Sequence, residues 1–142
     1  MTSEGVARDY LRRAQTRRLA LDTFLAAELH GDVMRETQEI VELVLKGALR
    51  FVGVEPPKRH DVHDIVERFL GRLPAEWAQV VGELRAMLDR LAEERGRAFY
   101  GDEVSGTPSS ELYGPGDARQ AVAIADRLLA MYGRLLGGGA GG

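Results

Sequence analysis

Arg95 is the residue of this sequence whose chemistry fits its position least. It lies on the apolar stripe of a predicted helix, one step after Leu91. A buried guanidinium is costly unless it is paired, so Arg95 is expected to reach a carboxylate or to open onto a cleft. There its fixed charge and its fork of donors could hold a phosphate group. The competing interpretation is that the helix end is solvated and that the aliphatic stem of Arg95 covers apolar surface.

Polar residues follow Arg95 closely and predict a polar patch at one end of the molecule. Read as one helix at about 100° per residue, Arg95 and Tyr100 point about 140° apart. They are therefore expected to share a cleft only if the helix frays or turns around Gly101. The candidate ligand- or phosphate-binding residues are Arg95, Arg97, Tyr100, Asp102 and His60.

The segment from His60 to Asp64 places four possible metal ligands within five residues. A structural interpretation is favoured, because Asp61 suits the N-cap of a helix and Asp64 suits its first turn. No metal ligand is assigned, and none of the usual nucleotide-binding or hydrolase motifs occurs, so no cofactor is predicted. His60 is expected to be structural before catalytic, with its imidazole hydrogen-bonded to backbone groups of the connection.

Five arginines near the N-terminus form the other charged feature. They either make a basic patch for RNA or an acidic partner, or lie on a solvated face balanced by carboxylates of neighbouring helices. The second interpretation is favoured. The residues are Arg8, Arg12, Arg13, Arg17 and Arg18.

The composition limits the class of protein. The chain has 142 residues, is 44% hydrophobic and carries a net charge of −3, which is typical of one globular domain and gives no general reason to expect nucleic-acid binding. It has no cysteine, and no apolar run resembles a signal peptide or a membrane span. A soluble cytoplasmic protein is the default expectation.

Hydrophobic periodicity predicts an all-α fold, a bundle of five helices over residues 8–136. Residues 1–7 are expected to be flexible and the glycine-rich residues 137–142 disordered. The second helix is apolar on nearly all sides and should be central. The connection over residues 101–116 exceeds the usual length and is expected to be functional or disordered. Its apolar residues Val104, Leu112 and Tyr113 are candidates for anchoring it to the bundle. The predicted helices run from Arg8 to His30 with Gly31 as the stop, from the N-cap Asp32 to Gly53, from the N-cap Asp61 to about Leu73, from Pro74 to Tyr100, and from Asp117 to Leu136.

Two groups of segments, taken together, resemble the HEPN domain family (higher eukaryotes and prokaryotes nucleotide-binding). The first comprises residues 38–50 (QEIVELVLKGALR), 53–57 (GVEPP) and 60–62 (HDV); the second comprises residues 98–103 (AFYGDE), 108–113 (PSSELY) and 117–118 (DA). The resemblance implies an up-and-down helical bundle, a homodimer, and pairing with a minimal nucleotidyltransferase, often as the toxin of a toxin–antitoxin pair. Apolar residues off the main stripe of the fourth helix, Val80 and Met87, also favour a homodimer.

Active members of the family cleave RNA with an arginine followed by a histidine after four to six residues. This sequence lacks that motif: the window after Arg95 holds Tyr100, Gly101 and Asp102. We therefore expect a nucleotide- or RNA-binding partner of a minimal nucleotidyltransferase, with Tyr100 as a hydroxyl donor or a target of adenylylation and with no catalytic residue assigned. The alternative is a divergent, metal-independent ribonuclease that uses His60 or His63.

Overall fold

The computed structural model describes residues 3–141, with side chains for residues 3–137, and this part of the chain forms helices and no strand. The predicted all-α class is confirmed, but the count of five helices is wrong, because seven are present and four of them are long. They are α1 (Ser3–Ala26), α2 (His30–Phe51), α3 (His63–Arg68), α4 (Ala75–Glu93), α5 (Arg95–Tyr100), α6 (Ser109–Leu112) and α7 (Pro115–Gly141), with a 3₁₀ turn at Leu70–Arg72.

Helix α2 is the centre of the bundle, as its sequence predicts. It packs against each of the other six α-helices and buries residues on most of its circumference. Gly47 permits the closest approach, since a Cβ there would lie 1.9 Å from the hydroxyl oxygen of Tyr132. That hydroxyl donates a hydrogen bond to the carbonyl of Ala7, so Tyr132 joins α7 to α1 across the surface of α2.

The turn between α1 and α2 differs from the prediction. The chain reverses at residues 27–29, where Glu28 adopts a φ of 58°, and α2 begins at His30 with Leu29 as its N-cap. Gly31 therefore ends no helix, and Asp32 lies in the first turn of α2 instead of capping it. Gly31 serves a close approach: a Cβ there would meet the carbonyl oxygen of Ala98 at 2.8 Å.

The predicted N-cap of the third helix is also wrong. Helix α3 begins at His63, its N-cap is Val62, and no side chain caps it. The Asp61 carboxylate instead contacts the ring of His63. A charge-assisted contact with the imidazole therefore replaces the capping hydrogen bond.

The predicted fourth helix is two helices that meet at Glu94. Helix α4 ends at Glu93, and α5 runs from Arg95 until Gly101, whose φ of 83° ends it. The Glu94 side chain is held by Arg90 at 2.6 Å and by the hydroxyl of Tyr113 at 3.1 Å. These contacts fix the junction, which a periodic apolar stripe does not reveal.

The long connection after α5 is structured by its own hydrogen bonds. The backbones of Asp102 and Thr107 exchange two hydrogen bonds, of 2.9 and 3.1 Å, and close a short loop. Tyr113 is buried, whereas Val104 at the loop tip is fully exposed, so the expected anchoring of the loop holds for Tyr113 and is wrong for Val104. Helix α7 then begins at Pro115, two residues before the predicted start.

The surface of α4 does not supply the surplus apolar face expected from its sequence. Val80 is buried within the single chain, and Met87 is half-buried against the same core.

None of the helices in the described residues is long and apolar enough to cross a membrane. The expected flexibility of residues 1–7 and 137–142 stays a prediction, with residues 1, 2 and 142 outside the described part.

Candidate functional site

A small cleft of about 100 Å³ lies where α5 packs against α2, and Arg95 and Tyr100 both line it. Arg35, Gly96 and Phe99 complete its wall. The expectation that Arg95 and Tyr100 could not share a cleft while both are helical is wrong. Helix α5 is only six residues long, and side chains on a helix lean back toward its N-terminus, so the long side chain of Tyr100 reaches the opening beside Arg95.

Two guanidinium groups in this cleft share one carboxylate. Arg35 and Arg95 donate to the same Oε1 atom of Glu39, at 2.6 and 2.8 Å. Arg95 therefore reaches a carboxylate and also opens onto a cleft, as its position in the sequence required. Its Nε atom is buried and has no hydrogen-bond partner among the described residues. The cleft consequently keeps one positive charge more than Glu39 neutralises.

Two aromatic side chains stand exposed beside these arginines. Phe99 is 55% exposed and Tyr100 is 74% exposed, and their rings meet edge to face with centroids 4.8 Å apart. The guanidinium carbon of Arg35 lies 5.7 Å from the centroid of the Phe99 ring. Exposed rings beside arginines can stack a nucleobase while the guanidinium groups hold phosphate. Phe99 was not among the predicted ligand-binding residues, although its position next to Tyr100 in the sequence was a signal for it.

Arg97 and Asp102 lie on the other side of Tyr100. Arg97 approaches Asp102 at 3.4 Å and Glu94 at 3.6 Å. Arg97, Tyr100 and the loop over residues 101–104 line a separate, shallower cleft of about 410 Å³. The predicted polar patch is therefore two clefts, and only Tyr100 and Gly96 belong to both.

The Asp102 carboxylate is already engaged in holding its loop. Its Oδ1 atom accepts hydrogen bonds from the backbone N–H groups of Ser105 and Val104, at 3.3 and 3.0 Å. These two bonds, that of Ser105 foremost, lower the pKa of Asp102. A carboxylate occupied in this way shapes the loop around the second cleft.

His60 lies on the same face of α2 as the Arg95 cleft. Its ring is 58% exposed, and its Nδ1 atom lies 2.7 Å from Oε1 of Glu42. Glu42 follows Glu39 by three residues, so His60 and Arg95 contact successive turns of α2. The His60 imidazole was expected to form a hydrogen bond with the backbone, but its partner is the carboxylate of Glu42. It is the His60 carbonyl that accepts, from Gln38, at 3.5 Å.

His63 is buried between two carboxylates. Its ring is 7% exposed, with Nδ1 against Asp61 and Nε2 2.7 Å from Oδ1 of Asp89. The ligand atoms of these three side chains lie within 4.8 Å of one another, which is close enough to hold a cation. Asp89 was beyond sequence reasoning, because α4 brings it to His63 from 26 residues further along the chain. The contacts as they stand are charge-assisted hydrogen bonds that join the α2–α3 connection to α4.

The arginines of α1 divide into balanced and unbalanced ones. Arg8, Arg17 and Arg18 pair with carboxylates at distances between 2.6 and 3.0 Å, which agrees with the favoured interpretation of a balanced face. Arg12 and Arg13 are exposed and form no ion pair within the part of the chain that the structure describes. Arg13 instead lies over the ring of Tyr10, at 5.5 Å from its centroid.

Comparison with known proteins gives one clear relationship. No curated protein and no solved structure matches the chain. The family model of the HEPN domain matches residues 7–135, which is nearly the whole bundle from α1 to α7. The chain therefore belongs to the HEPN domain family.

Proposed function

We propose that this chain is a homodimeric nucleotide- or RNA-binding protein that partners a minimal nucleotidyltransferase in a toxin–antitoxin-type pair in the cytoplasm. One observation carries the binding function: two guanidinium groups share the single carboxylate of Glu39 beside an exposed pair of aromatic rings. Membership of the HEPN family supports the partnership.

The binding chemistry follows from the charge balance of the cleft. Arg95 and Arg35 each carry a permanent charge, and Glu39 offsets only one of them. A phosphate group that enters the cleft restores neutrality and accepts hydrogen bonds from the guanidinium forks. The exposed ring of Phe99 or Tyr100 stacks on the attached base, a contact worth about 1–3 kcal/mol that tolerates any base.

The exposed side chain of Tyr100 supports the role of the partner. Its phenolic oxygen attacks the α-phosphorus of a nucleoside triphosphate bound by the nucleotidyltransferase. A phosphorus–oxygen bond to the tyrosine forms, pyrophosphate leaves, and the phenol gives up its proton. The added nucleotide fills the Arg95 cleft, which blocks any other ligand there. The homodimer is supported by membership of the HEPN family, and the fully exposed Val104 at the tip of the loop after α5 offers it an apolar contact.

The binding function is tested with Arg95→Gln, Arg95→Lys and Arg127→Gln. Arg127 is a matched control, because it pairs with Glu83 of α4 on another face. We expect Arg95→Gln to weaken binding of a fluorescent oligoribonucleotide at least tenfold, which corresponds to about 1.4 kcal/mol. Arg95→Lys should restore part of the affinity, since a point charge lacks the bidentate geometry. Equal binding by wild type and Arg95→Gln would show that Arg95 is structural.

A second candidate function, metal-independent ribonuclease activity, is favoured by the position of His60. Its imidazole is paired with Glu42 one turn along α2 from the carboxylate that holds Arg95. In this mechanism His60 takes the proton of a ribose 2′-hydroxyl while Arg95 holds the phosphate. The 2′-oxygen then bonds to phosphorus, the bond from phosphorus to the 5′-oxygen breaks, and the departing 5′-oxygen takes a proton from water, which leaves a 2′,3′-cyclic phosphate. RNA cleavage in the presence of EDTA should then be lost in His60→Gln and kept in His30→Gln. Absence of cleavage by the wild-type protein leaves binding as the function.

A further inference from the structure

A groove of about 490 Å³ between α1 and α2 has a strong excess of positive charge. Three arginines and one carboxylate contribute to its lining, together with two small side chains, Thr16 and Ala20. Because Thr16 and Ala20 are four residues apart, they lie on the same face of α1. The groove is lined by Arg12, Arg13, Thr16, Arg17, Ala20 and Glu36.

The charges of this groove are not balanced within the described part of the chain. Of the three arginines in the groove, Arg17 has a carboxylate partner, Glu36 at 3.0 Å, whereas Arg12 and Arg13 have none among the described residues. All three side chains keep solvent access. Exposed cations without partners attract an anion and cost no internal ion pair when they bind it.

The groove is adjacent to the Arg95 cleft across α2. Arg17 of the groove pairs with Glu36, and Arg95 of the cleft pairs with Glu39. Glu36 and Glu39 are three residues apart, so they occupy neighbouring positions on one face of α2. Counting Arg35 with the cleft, the groove and the cleft hold five arginines, whose carboxylate partners among the described residues are Glu36 and Glu39 alone, although the whole chain carries a net charge of −3.

We propose that this face carries a single strand of RNA, whose backbone runs from the Arg95 cleft across α2 into the α1–α2 groove. The inference rests on the proposed function, because one end of the path is the cleft assigned there. Exposed rings lie at that end and unpaired arginines at the other, an arrangement that suits a strand anchored by base stacking and extended by phosphate contacts. An acidic segment of a protein would use the arginines but has no need of Phe99 and Tyr100.

The path predicts that affinity depends on the length of the strand. Binding of a fluorescent trinucleotide and a dodecanucleotide of uridine is measured for wild type and for Arg12→Gln/Arg13→Gln over a range of salt concentrations. The matched control is Arg127→Gln/Arg134→Gln, which removes two exposed arginines paired with Glu83 and Glu76 on α4. We expect the groove variant to lose about tenfold in affinity for the dodecanucleotide and to bind the trinucleotide as wild type does. The slope of log K against log salt should fall by about 1.4, the value for two phosphate contacts on a single strand.

The outcomes separate this inference from the function on which it rests. If the groove variant binds the dodecanucleotide as wild type does, while Arg95→Gln loses binding, the path is overturned and the Arg95 cleft remains as the binding site. Absence of binding of either strand to the wild-type protein overturns both. Binding of a decaglutamate peptide is measured with the same variants. If the groove variant loses affinity for this peptide while its RNA binding is unchanged, the groove takes an acidic protein segment instead, which also overturns the path.

Discussion

Two arginine clusters flank the junction between α4 and α5, and they have opposite charge balances. Before the junction, Arg90 donates to Glu94 at 2.6 Å and to Asp117 at 3.0 Å, so two carboxylates contact this one cation. Arg97 also approaches Glu94, at 3.6 Å, but brings Asp102 as a further carboxylate, so carboxylates outnumber cations in this cluster. After it, Arg95 and Arg35 share Glu39 alone. The same residue types thus build two different clusters. The charge of the Arg90 cluster is already neutralised by carboxylates, whereas the Arg95 cluster keeps a positive charge that a further anion can neutralise.

The surroundings of the Arg90 cluster fit a structural role. The carboxylates raise the pKa of Arg90, the hydrogen bond that Arg90 donates to Glu94 contributing most. The backbone N–H of Gly114, and after it Arg90, lowers the pKa of Asp117. Each charged form is stabilised by its neighbours. The ratio of cations to carboxylates, more than the presence of an arginine, therefore distinguishes a cluster suited to a structural role from one suited to binding an anion.

The largest effect expected from this comparison is on stability, in Arg90→Gln. This substitution leaves Glu94 and Asp117 without the cation between them. It should lower the free energy of unfolding by about 2 kcal/mol, less than for a fully buried pair because the cluster is partly exposed. Arg95→Gln should cost about 1 kcal/mol or less, since Glu39 keeps Arg35. Urea unfolding measures both.

The ligand-binding assay completes this test. Arg90→Gln should bind the oligoribonucleotide as wild type does at a temperature where it is folded. Weaker RNA binding in Arg90→Gln, or a greater loss of stability in Arg95→Gln, would contradict the division into a structural and a binding cluster.

The next effect concerns Tyr113, whose hydroxyl donates to Glu94 at 3.1 Å. Burial, followed by the charge of Glu94, raises the pKa of Tyr113 to about 12. An unfolded tyrosine ionises near pH 10, so the unfolded chain loses this proton first, and the stability that Tyr113 contributes is lost as the pH rises from about 10 to 12. Tyr113→Phe should cost about 1 kcal/mol at neutral pH, as for one lost hydrogen bond, and should flatten this alkaline decline.

Chemical denaturation at several pH values checks the alkaline decline, and comparison of the ultraviolet titrations of wild type and Tyr113→Phe shows whether Tyr113 ionises late. Tyr100→Phe is the control, because that side chain is 74% exposed. A decline of equal steepness in Tyr113→Phe and wild type would assign the alkaline effect to other groups.

The sequence was sufficient for the features that depend on local pattern. Periodicity predicted an all-α fold with a central second helix, and the misfit of a single residue drew attention to Arg95. Both depend on which face of a helix a residue occupies, which spacing along the chain determines.

Features that depend on packing between distant segments were beyond the sequence. Glu39 precedes Arg95 by 56 residues, and nothing in its own segment distinguishes it from the other glutamates of α2. The helix break at Glu94 depends in part on Tyr113, which meets Glu94 only after the bundle forms, whereas Arg90 is a local partner four residues earlier in the chain. Gly31 was interpreted as a helix stop because its close approach to Ala98 is a tertiary contact.

The smallest expected effect reverses the usual direction, because removal of a charged residue should improve binding. In Glu39→Gln the amide oxygen can still accept hydrogen bonds from Arg35 and Arg95, but the negative charge is gone. Loss of a repulsion worth about 1 kcal/mol in a water-like medium should raise oligoribonucleotide affinity about threefold to fivefold. The salt dependence should also become steeper, since the cleft gains one uncompensated charge.

Glu94→Gln is the matched control for this last prediction, since it removes the same charge from the other cluster. There Arg90 keeps Asp117 at 3.0 Å and gains no freedom to bind an anion, so affinity should stay within about twofold of wild type. Fluorescence anisotropy at low and moderate salt compares the two variants. If both raise affinity equally, the gain reflects the net charge of the whole chain and the clusters do not differ. If Glu39→Gln lowers affinity while remaining folded, Glu39 holds the two arginines in their binding geometry, and that positioning outweighs the repulsion between its charge and the phosphate.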